Sequence, residues 1–113
     1  KLGIYLAKEY KDDEDLFLEK LYDIVGAGVN ISESVPAAIS IAYYAQDPNK
    51  CSVLCANLAG DTDTIGAMAT AICGAFKGID SIKKEYIEVL NEANDVDFDR
   101  YISILMEGRS CIK

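Results

Sequence analysis

The chain has 113 residues, which is enough for one modest domain and too few for two. Half of the residues are apolar, so the sequence can bury a core and is not compositionally disordered. Its 11 basic and 19 acidic side chains give a net charge of −8, which argues against nucleic acid and anionic membrane surfaces as partners, since both attract positive charge. No apolar run is long enough to span a bilayer, and we therefore predict neither a nucleic-acid-binding nor a membrane protein.

The cysteines argue against a soft-metal site. Cys51 and Cys55 are four residues apart, which is helical spacing, while Cys73 and Cys111 are isolated and the chain has no histidine. A zinc site favours Cys-x-x-Cys pairs or histidines, and a secreted disulfide framework has a higher cysteine density. We interpret the four cysteines as small buried hydrophobes of a reduced, cytoplasmic protein.

Helical periodicity recurs in six segments, and no segment alternates with period two for long enough to predict a strand. The first helix follows the acidic run at 12–15 and stops at the glycines of 26–28, and the second begins near Ser34 with Pro36 in its first turn. A turn is predicted at 47–49. The predicted class is therefore all-α.

The remaining four helices fill the second half of the chain. The third is short, the fourth ends at Gly78, Ser81 is expected to cap the fifth, and the sixth follows it. The apolar stripes of the six helices are predicted at Leu18, Leu21, Tyr22 and Val25; Val35, Ala38, Ile39, Ala42 and Tyr43; Cys51, Leu54, Cys55 and Leu58; Ile65, Met68, Ala69, Ile72, Cys73 and Phe76; Ile82, Tyr86, Val89 and Leu90; and Phe98, Tyr101, Ile102, Leu105 and Met106.

The fourth helix also has a face of small residues. These are Gly66, Ala67, Thr70, Ala71, Gly74 and Ala75. Because glycine in a helix interior costs about 1 kcal/mol relative to alanine, two such glycines require a packing reason. We predict that this helix is contacted closely from both sides, is central to the fold, and holds the residues at its N-terminus rigidly.

The sequence Gly60-Asp61-Thr62-Asp63-Thr64, here called the Asp-Thr run, precedes the fourth helix. Carboxylate and hydroxyl oxygens are hard ligands suited to Mg²⁺, Mn²⁺ or Ca²⁺, and Gly60 allows a tight turn before them. Taken by itself, however, the run is better explained by helix capping, because Asp and Thr are favoured N-caps and acids are favoured in a first turn. It does not match an EF-hand loop, and two carboxylates cannot complete a six-coordinate site.

Two blocks of the sequence resemble the ADP-ribosylglycohydrolase family, which includes the dinitrogenase-reductase-activating glycohydrolases. Residues 57–69 (NLAGDTDTIGAMA), continued by 71–78 (AICGAFKG), look like its C-terminal signature. Residues 26–29 (GAGV), followed by 33–38 (ESVPAA), are similar to the loop and helix that precede that signature. Two blocks in the right order are more specific than either alone.

The resemblance implies an all-α fold whose active site holds two divalent cations, Mg²⁺ or alternatively Mn²⁺. Carried over position by position, Asp61, Asp63 and Thr64 are metal ligands, with Asp63 the best candidate to bridge both ions. Gly28 and Val29 are then expected to line the ADP-ribose pocket. The implied reaction is metal-dependent hydrolysis of the bond between ribose C1 of an ADP-ribosyl group and a protein or small-molecule acceptor. The general acid or base stays unassigned, and so does the acceptor, which could be arginine, serine, a nucleotide or a metabolite.

Some residues depart from the family pattern or have a secondary role. Ala59 stands where the family usually has a glycine, and Thr70 replaces a common small residue, but neither change removes a ligand. Glu33 is interpreted as a cap or a support for the loop. The N-terminal metal cluster of the family is absent, since there is no threonine before Val25.

We therefore expect residues 1–113 to be the C-terminal part of a single domain that is inactive without its N-terminal portion, whether that portion is a separate chain or a truncated segment. An alternative is a non-catalytic ADP-ribose-binding or structural member of the family. A third interpretation is a plain helical domain with a well-capped central helix, which explains Asp61 but not the two blocks.

Overall fold

The computed structural model describes residues 1–94 and 96–110, and within this part of the chain all regular structure is helical. The elements are α1 (Leu2–Glu9), α2 (Glu14–Ile24), α3 (Ile31–Ala45), α4 (Pro48–Asn57), α5 (Thr62–Lys77), a 3-10 turn (Ile79–Ser81), α6 (Lys84–Ala93) and α7 (Phe98–Ser110). The predicted all-α class is confirmed. The described part has seven α-helices, not about six, because α1 is not among the periodic segments recognised in the sequence.

The chain divides into two compact units, the first of which contains residues 1–83. In this unit α3 contacts α1, α4 and α5, while α2 contacts α1 and α4. The second unit contains α6 and α7, where none of the described side chains is buried. That residues 1–113 belong to a single domain stays a prediction. Across the described residues, no helix is both long enough and apolar enough to cross a membrane.

The helix at the centre of the first unit is α3, and not the helix after the Asp-Thr run. Its buried face is made mostly of small side chains, which lets neighbouring helices approach closely. These buried residues are Ser34, Ala37, Ala38, Ser40, Ile41, Ala42 and Ala45. At one edge of the core, the Phe17 ring is fully buried and stacks on Tyr44 with the ring centroids 4.3 Å apart.

Only one face of α5 is packed within the described residues, so the prediction of close contact from both sides is wrong there. Ile65, Ala69 and Cys73 are buried against α3 and α4. By contrast, Ile72 and Phe76 are exposed, although they were expected in the same stripe. The small-residue face is also open: Ala67, Ala71 and Ala75 are exposed, and a Cβ atom added at Gly74 would meet nothing within 4 Å.

Two helix starts differ from the sequence prediction because of local hydrogen bonds. Helix α3 begins at Ile31, three residues before Ser34, and Pro36 therefore lies inside it. Residues 47–49 do not form a separate turn: the Asp47 carboxylate accepts a hydrogen bond from the backbone N–H of Lys50 at 2.9 Å, and Pro48 takes the first position of α4.

The helix after Gly78 also begins differently. Ser81 does not cap it, because Ser81 lies in the 3-10 turn, where its hydroxyl donates to the Gly78 carbonyl at 2.7 Å. The next helix, α6, begins three residues later at Lys84.

Three of the four cysteines are buried and free, which confirms their interpretation as small apolar side chains. Burial raises the pKa of the Cys73 thiol, which donates weakly to the Ala42 carbonyl at 3.7 Å. A hydrogen bond with Cys55 raises the pKa of Cys51. The thiols of Cys51 and Cys73 therefore stay protonated in the folded protein, whereas the hydrogen bond with Cys51 lowers the pKa of Cys55. Cys111 lies outside the described residues.

Candidate functional site

The backbone in front of the Asp-Thr run turns through two consecutive residues with positive φ. These are Ala59 at +67° and Gly60 at +75°, and Asp61 then occupies the N-cap position of α5. A Cβ atom at position 60 would collide with the carbonyl oxygen of Ala27, so only glycine fits there. The left-handed conformation at position 59 gives a physical reason for the glycine that the family usually has at this position.

The turn at Gly60 packs directly on residues 26–28, here called the glycine loop. The backbone N–H of Asp61 donates to the Ala27 carbonyl oxygen at 2.7 Å. Ala27 and Asp61 are more than thirty positions apart along the chain, and this bond joins the two sequence blocks to which they belong. The structure therefore brings Gly28 and Asp61 into one neighbourhood.

Glu33 holds the glycine loop from the other side. It lies in the first turn of α3, and its Oε2 accepts a hydrogen bond from the backbone N–H of Gly28 at 2.9 Å. Cβ atoms built at Gly26 and Gly28 would both lie 2.7 Å from that same oxygen, so the two glycines leave room for the carboxylate. Gly26 also has a φ of +93°, which favours glycine independently. The interpretation of Glu33 as a support for the loop is confirmed.

The Asp61 carboxylate does not cap its helix. At two other helix starts an aspartate accepts a hydrogen bond from the first turn: Asp13 from Leu16 at 3.0 Å and Asp47 from Lys50 at 2.9 Å. Asp61 occupies the same position in α5 but makes no such bond. Its side-chain oxygens therefore do not cap the helix, although Asp63 keeps the first-turn position that helices favour for acids.

The side chain of Asp61 is directed to Asp63 instead. Hydrogen bonding with the Asp61 side chain, followed by the backbone N–H groups of Thr64 and Asp63, lowers the pKa of the Asp63 carboxyl group. The two carboxyl groups are therefore within hydrogen-bonding reach of each other, and neighbouring negative charges are stabilised by a proton or a cation. Asp63 and Thr64 are exposed and Asp61 is half-buried, so oxygen atoms of all three residues can be reached by a ligand.

The remaining predicted site residues lie at the rim of this arrangement. Gly28 is half-buried beside Glu33, whereas Val29 is 81% exposed. Thr62, which has no assigned role, is half-buried between the two aspartates in sequence. Within the described ranges, no group of three or more His, Cys, Asp or Glu side chains is arranged to hold a metal ion.

A cleft of about 320 Å³ lies beside the same turn and was not predicted from the sequence. It is lined by Asp15, Leu18, Glu19, Tyr22, Asp23, Asn57, Leu58 and Ala59. Its three acids recur every four residues along α2, which places them on one face of that helix. That spacing is visible in the sequence, but residues 12–15 were interpreted only as an acidic helix start.

Comparisons with known proteins agree with the two sequence blocks. A family model described as ADP-ribosylglycohydrolase matches residues 3–110. The uncharacterized protein YegU of Escherichia coli (strain K12) is 55% identical over 92 residues, which cover 80% of this chain and 28% of the relative.

Two relatives with a named activity are more distant. ADP-ribosylhydrolase ARH3 of Danio rerio is 33% identical over 107 residues, covering 82% of this chain and 29% of the relative. ADP-ribosylhydrolase ARH3 of Homo sapiens is 30% identical over 89 residues, covering 69% of this chain and 24% of the relative. No solved structure shows a significant match. The chain thus spans less than a third of the length of these curated relatives.

Proposed function

The chain belongs to the ADP-ribosylglycohydrolase family, and on that premise we propose that it supplies the C-terminal half-site of a metal-dependent hydrolase that removes ADP-ribose from ADP-ribosylated protein or small-molecule acceptors. In this proposal, an N-terminal portion completes the active site. The matched segment spans only 28–29% of two of the relatives, which leaves room for such a portion in proteins of their length.

The observation that carries the proposal is the state of the Asp61 carboxylate. It stands at a helix start without capping the helix, and it faces a second carboxylate at Asp63. Like charges held this close need a counter-charge, and hard oxygen donors favour Mg²⁺ or Mn²⁺. The donor set of Asp61, Asp63 and Thr64 therefore fits one side of a site for divalent cations, with Asp63 as the candidate bridge between two ions.

Such cations, when bound, would hold the ribose hydroxyls and orient the sugar around its anomeric carbon. The residues of this chain would hold the oxygen donors of the Asp-Thr run in position. Gly60 brings the run against the glycine loop, and the Ala27 carbonyl anchors the backbone of Asp61. The same contact brings the glycine loop, which ends at Gly28, beside Asp61, and this supports the proposed assignment of Gly28 and its chain neighbour Val29 to the ADP-ribose pocket.

The test uses the protein in which this chain is joined to its N-terminal portion. Asp63→Ala should abolish Mn²⁺ binding, followed by electron paramagnetic resonance, and should abolish ADP-ribose release from ADP-ribosylated arginine, serine and nucleotide substrates. Asp13→Ala is the matched control, because it removes an aspartate that does cap a helix and lies outside the site. We expect that control to lower stability by about 1 kcal/mol and to leave metal affinity unchanged.

Two results would count against the proposal in different ways. Wild-type release of ADP-ribose by Asp63→Ala would show that the metal ligands are wrongly assigned. A wild-type protein that binds ADP-ribose and releases it from none of the substrates would instead identify a non-catalytic, ADP-ribose-binding member of the family.

A further inference from the structure

One peptide group in the glycine loop is held at both ends. The peptide bond between Ala27 and Gly28 donates its N–H to the Glu33 carboxylate at 2.9 Å and accepts the N–H of Asp61 on its carbonyl oxygen at 2.7 Å. Since the N–H and C=O of one peptide unit are coplanar and rigidly linked, the orientation set by Glu33 is also the orientation presented to Asp61. Glu33 and Asp61 are thus connected through one rigid group.

We propose that Glu33 is a positioning residue for the metal half-site: through the Ala27–Gly28 peptide, it fixes the backbone from which the Asp61 carboxylate projects. This inference rests on the proposed function, because it assumes that Asp61 is a metal ligand. It does not require Glu33 to touch the metal or the substrate.

The chemistry of the contact explains why a carboxylate occupies this position. A hydrogen bond to an ionised acceptor is roughly twice as strong as a neutral one, and a polarised peptide becomes a better acceptor at its carbonyl end. The bond from Gly28 to Glu33 therefore strengthens the bond from Asp61 to Ala27. The two glycines that flank Ala27 have no side chain that could accept this hydrogen bond, and the space beside them is occupied by Glu33.

If the Glu33 side chain made its hydrogen bond within α3, its role would be only to stabilise that helix. The geometry shows a different bond. Asn30, the N-cap of α3, makes no side-chain capping bond, and the hydrogen bond of Glu33 goes out of the helix to Gly28. The start of α3 is instead closed by backbone bonds from Glu33 and Ser34 to the Asn30 carbonyl, both at 2.9 Å. Removing the carboxylate leaves those helix bonds in place and removes the bond to the loop.

The experiment compares Glu33→Ala, Glu33→Gln and the control Glu9→Ala, which removes the same charge from an exposed position on α1. The first measurement is the Mn²⁺ dissociation constant of the protein joined to its N-terminal portion. Loss of a supporting hydrogen bond behind a metal ligand typically weakens binding on the order of 10–100-fold, which is the change expected for Glu33→Ala. In Glu33→Gln a neutral amide oxygen accepts the same hydrogen bond more weakly. The Mn²⁺ affinity of this variant should therefore fall between those of the wild type and Glu33→Ala. Glu9→Ala should bind as the wild type does.

The second measurement is amide hydrogen exchange at Asp61 in the same joined protein without added metal, which does not depend on metal or on activity. Exchange should be faster in both Glu33 variants than in the wild type and unchanged in Glu9→Ala. If Glu33→Ala failed to fold, Glu33→Gln would decide the question by the same two measurements.

The failure of this inference can be distinguished from the failure of the proposed function. If the wild type bound Mn²⁺, Asp63→Ala did not, and both Glu33 variants matched the wild type in affinity and in Asp61 exchange, Glu33 would have no positioning role while the metal site stood. If the wild type bound no Mn²⁺ although exchange at Asp61 depended on Glu33, the hydrogen-bonded link would be real but the metal site would not.

Discussion

Gly60 is a position at which the structure leaves no room for a side chain, and the substitution Gly60→Ala tests that close packing directly. Its φ of +75° costs a residue with a Cβ atom about 1–2 kcal/mol. The added Cβ would collide with the Ala27 carbonyl oxygen, so the two segments must separate and lose the 2.7 Å bond from Asp61, which is worth about 0.5–1.5 kcal/mol. We therefore expect a loss of roughly 1.5–3.5 kcal/mol in the free energy of unfolding.

The neighbouring substitution Ala59→Gly should have the opposite sign. Ala59 has a φ of +67° and is exposed, so glycine relieves the left-handed strain and removes no packing. Part of the gain is offset by the greater freedom of glycine in the unfolded chain, which leaves a net stabilisation of about 0.5–1 kcal/mol.

Urea denaturation followed by circular dichroism at 222 nm measures both changes. Because small domains are stable by only about 5–15 kcal/mol, the loss in Gly60→Ala should move the midpoint visibly. If Gly60→Ala unfolded within about 0.5 kcal/mol of the wild type, the range normally seen for surface substitutions, the close approach of Gly60 to Ala27 would be refuted.

Two further substitutions test the frame around the site. Asp47→Ala should cost about 1 kcal/mol at neutral pH, because Asp47 caps α4; that backbone hydrogen bond from Lys50 is also the main reason why the pKa of Asp47 is lowered. A lowered pKa in the folded state gives stability that is present above the unfolded pKa and is lost as pH falls through the folded pKa. The difference in unfolding free energy between the wild type and Asp47→Ala should therefore shrink as the pH is lowered. If that difference grew instead, the capping role of Asp47 would be contradicted. Phe17→Ala should lower the free energy of unfolding by about 3–5 kcal/mol in urea denaturation, because Phe17 is fully buried and stacked on Tyr44. The control Tyr5→Ala, at an exposed position, should stay within about 0.5 kcal/mol of the wild type. Equal losses in the two variants would contradict this packing.

Helical periodicity predicted the class and most helices of the described chain, but not which face of each helix is buried. Ile39 and Tyr43 fall in the predicted stripe of α3, yet both are exposed, while Ile41 is fully buried. The true buried face of α3 is mostly alanine and serine, whose low hydrophobicity gives little signal. A sequence stripe identifies a helix, whereas the neighbours available in the fold decide which side of it is covered.

Helix ends were predicted less well because distant or local hydrogen bonds set them. The start of α3 at Ile31 places Glu33 in its first turn, where it reaches the glycine loop, and this tertiary contact outweighs the preference of Pro36 for the first turn. Likewise, the capping bond of Asp47 converts a predicted turn into the start of α4.

The candidate site was predictable in its residues but not in its connections. The family resemblance indicated the Asp-Thr run and the glycine loop, and it indicated that Glu33 supports the loop. It could not indicate that a single peptide group joins Glu33 to Asp61, because that connection depends on the φ angles of Ala59 and Gly60. Backbone geometry of this kind leaves no periodic trace in a sequence.

The strain at Ala59 bears on which interpretation of the Asp-Thr run is correct. A plain helix cap needs an extended backbone and a side chain that bonds to the first turn, which is what Asp47 has at the start of α4, where its φ is −149°. Before α5 the chain instead adopts two left-handed residues in succession, one of them not glycine, and Asp61 makes no capping bond. Strain of this kind persists where the surrounding structure requires a particular backbone direction, and it is concentrated at functional sites. At the start of α5 the Asp61 carboxylate is therefore not engaged by the helix backbone, and the proposed cation site does not compete with a capping bond for it.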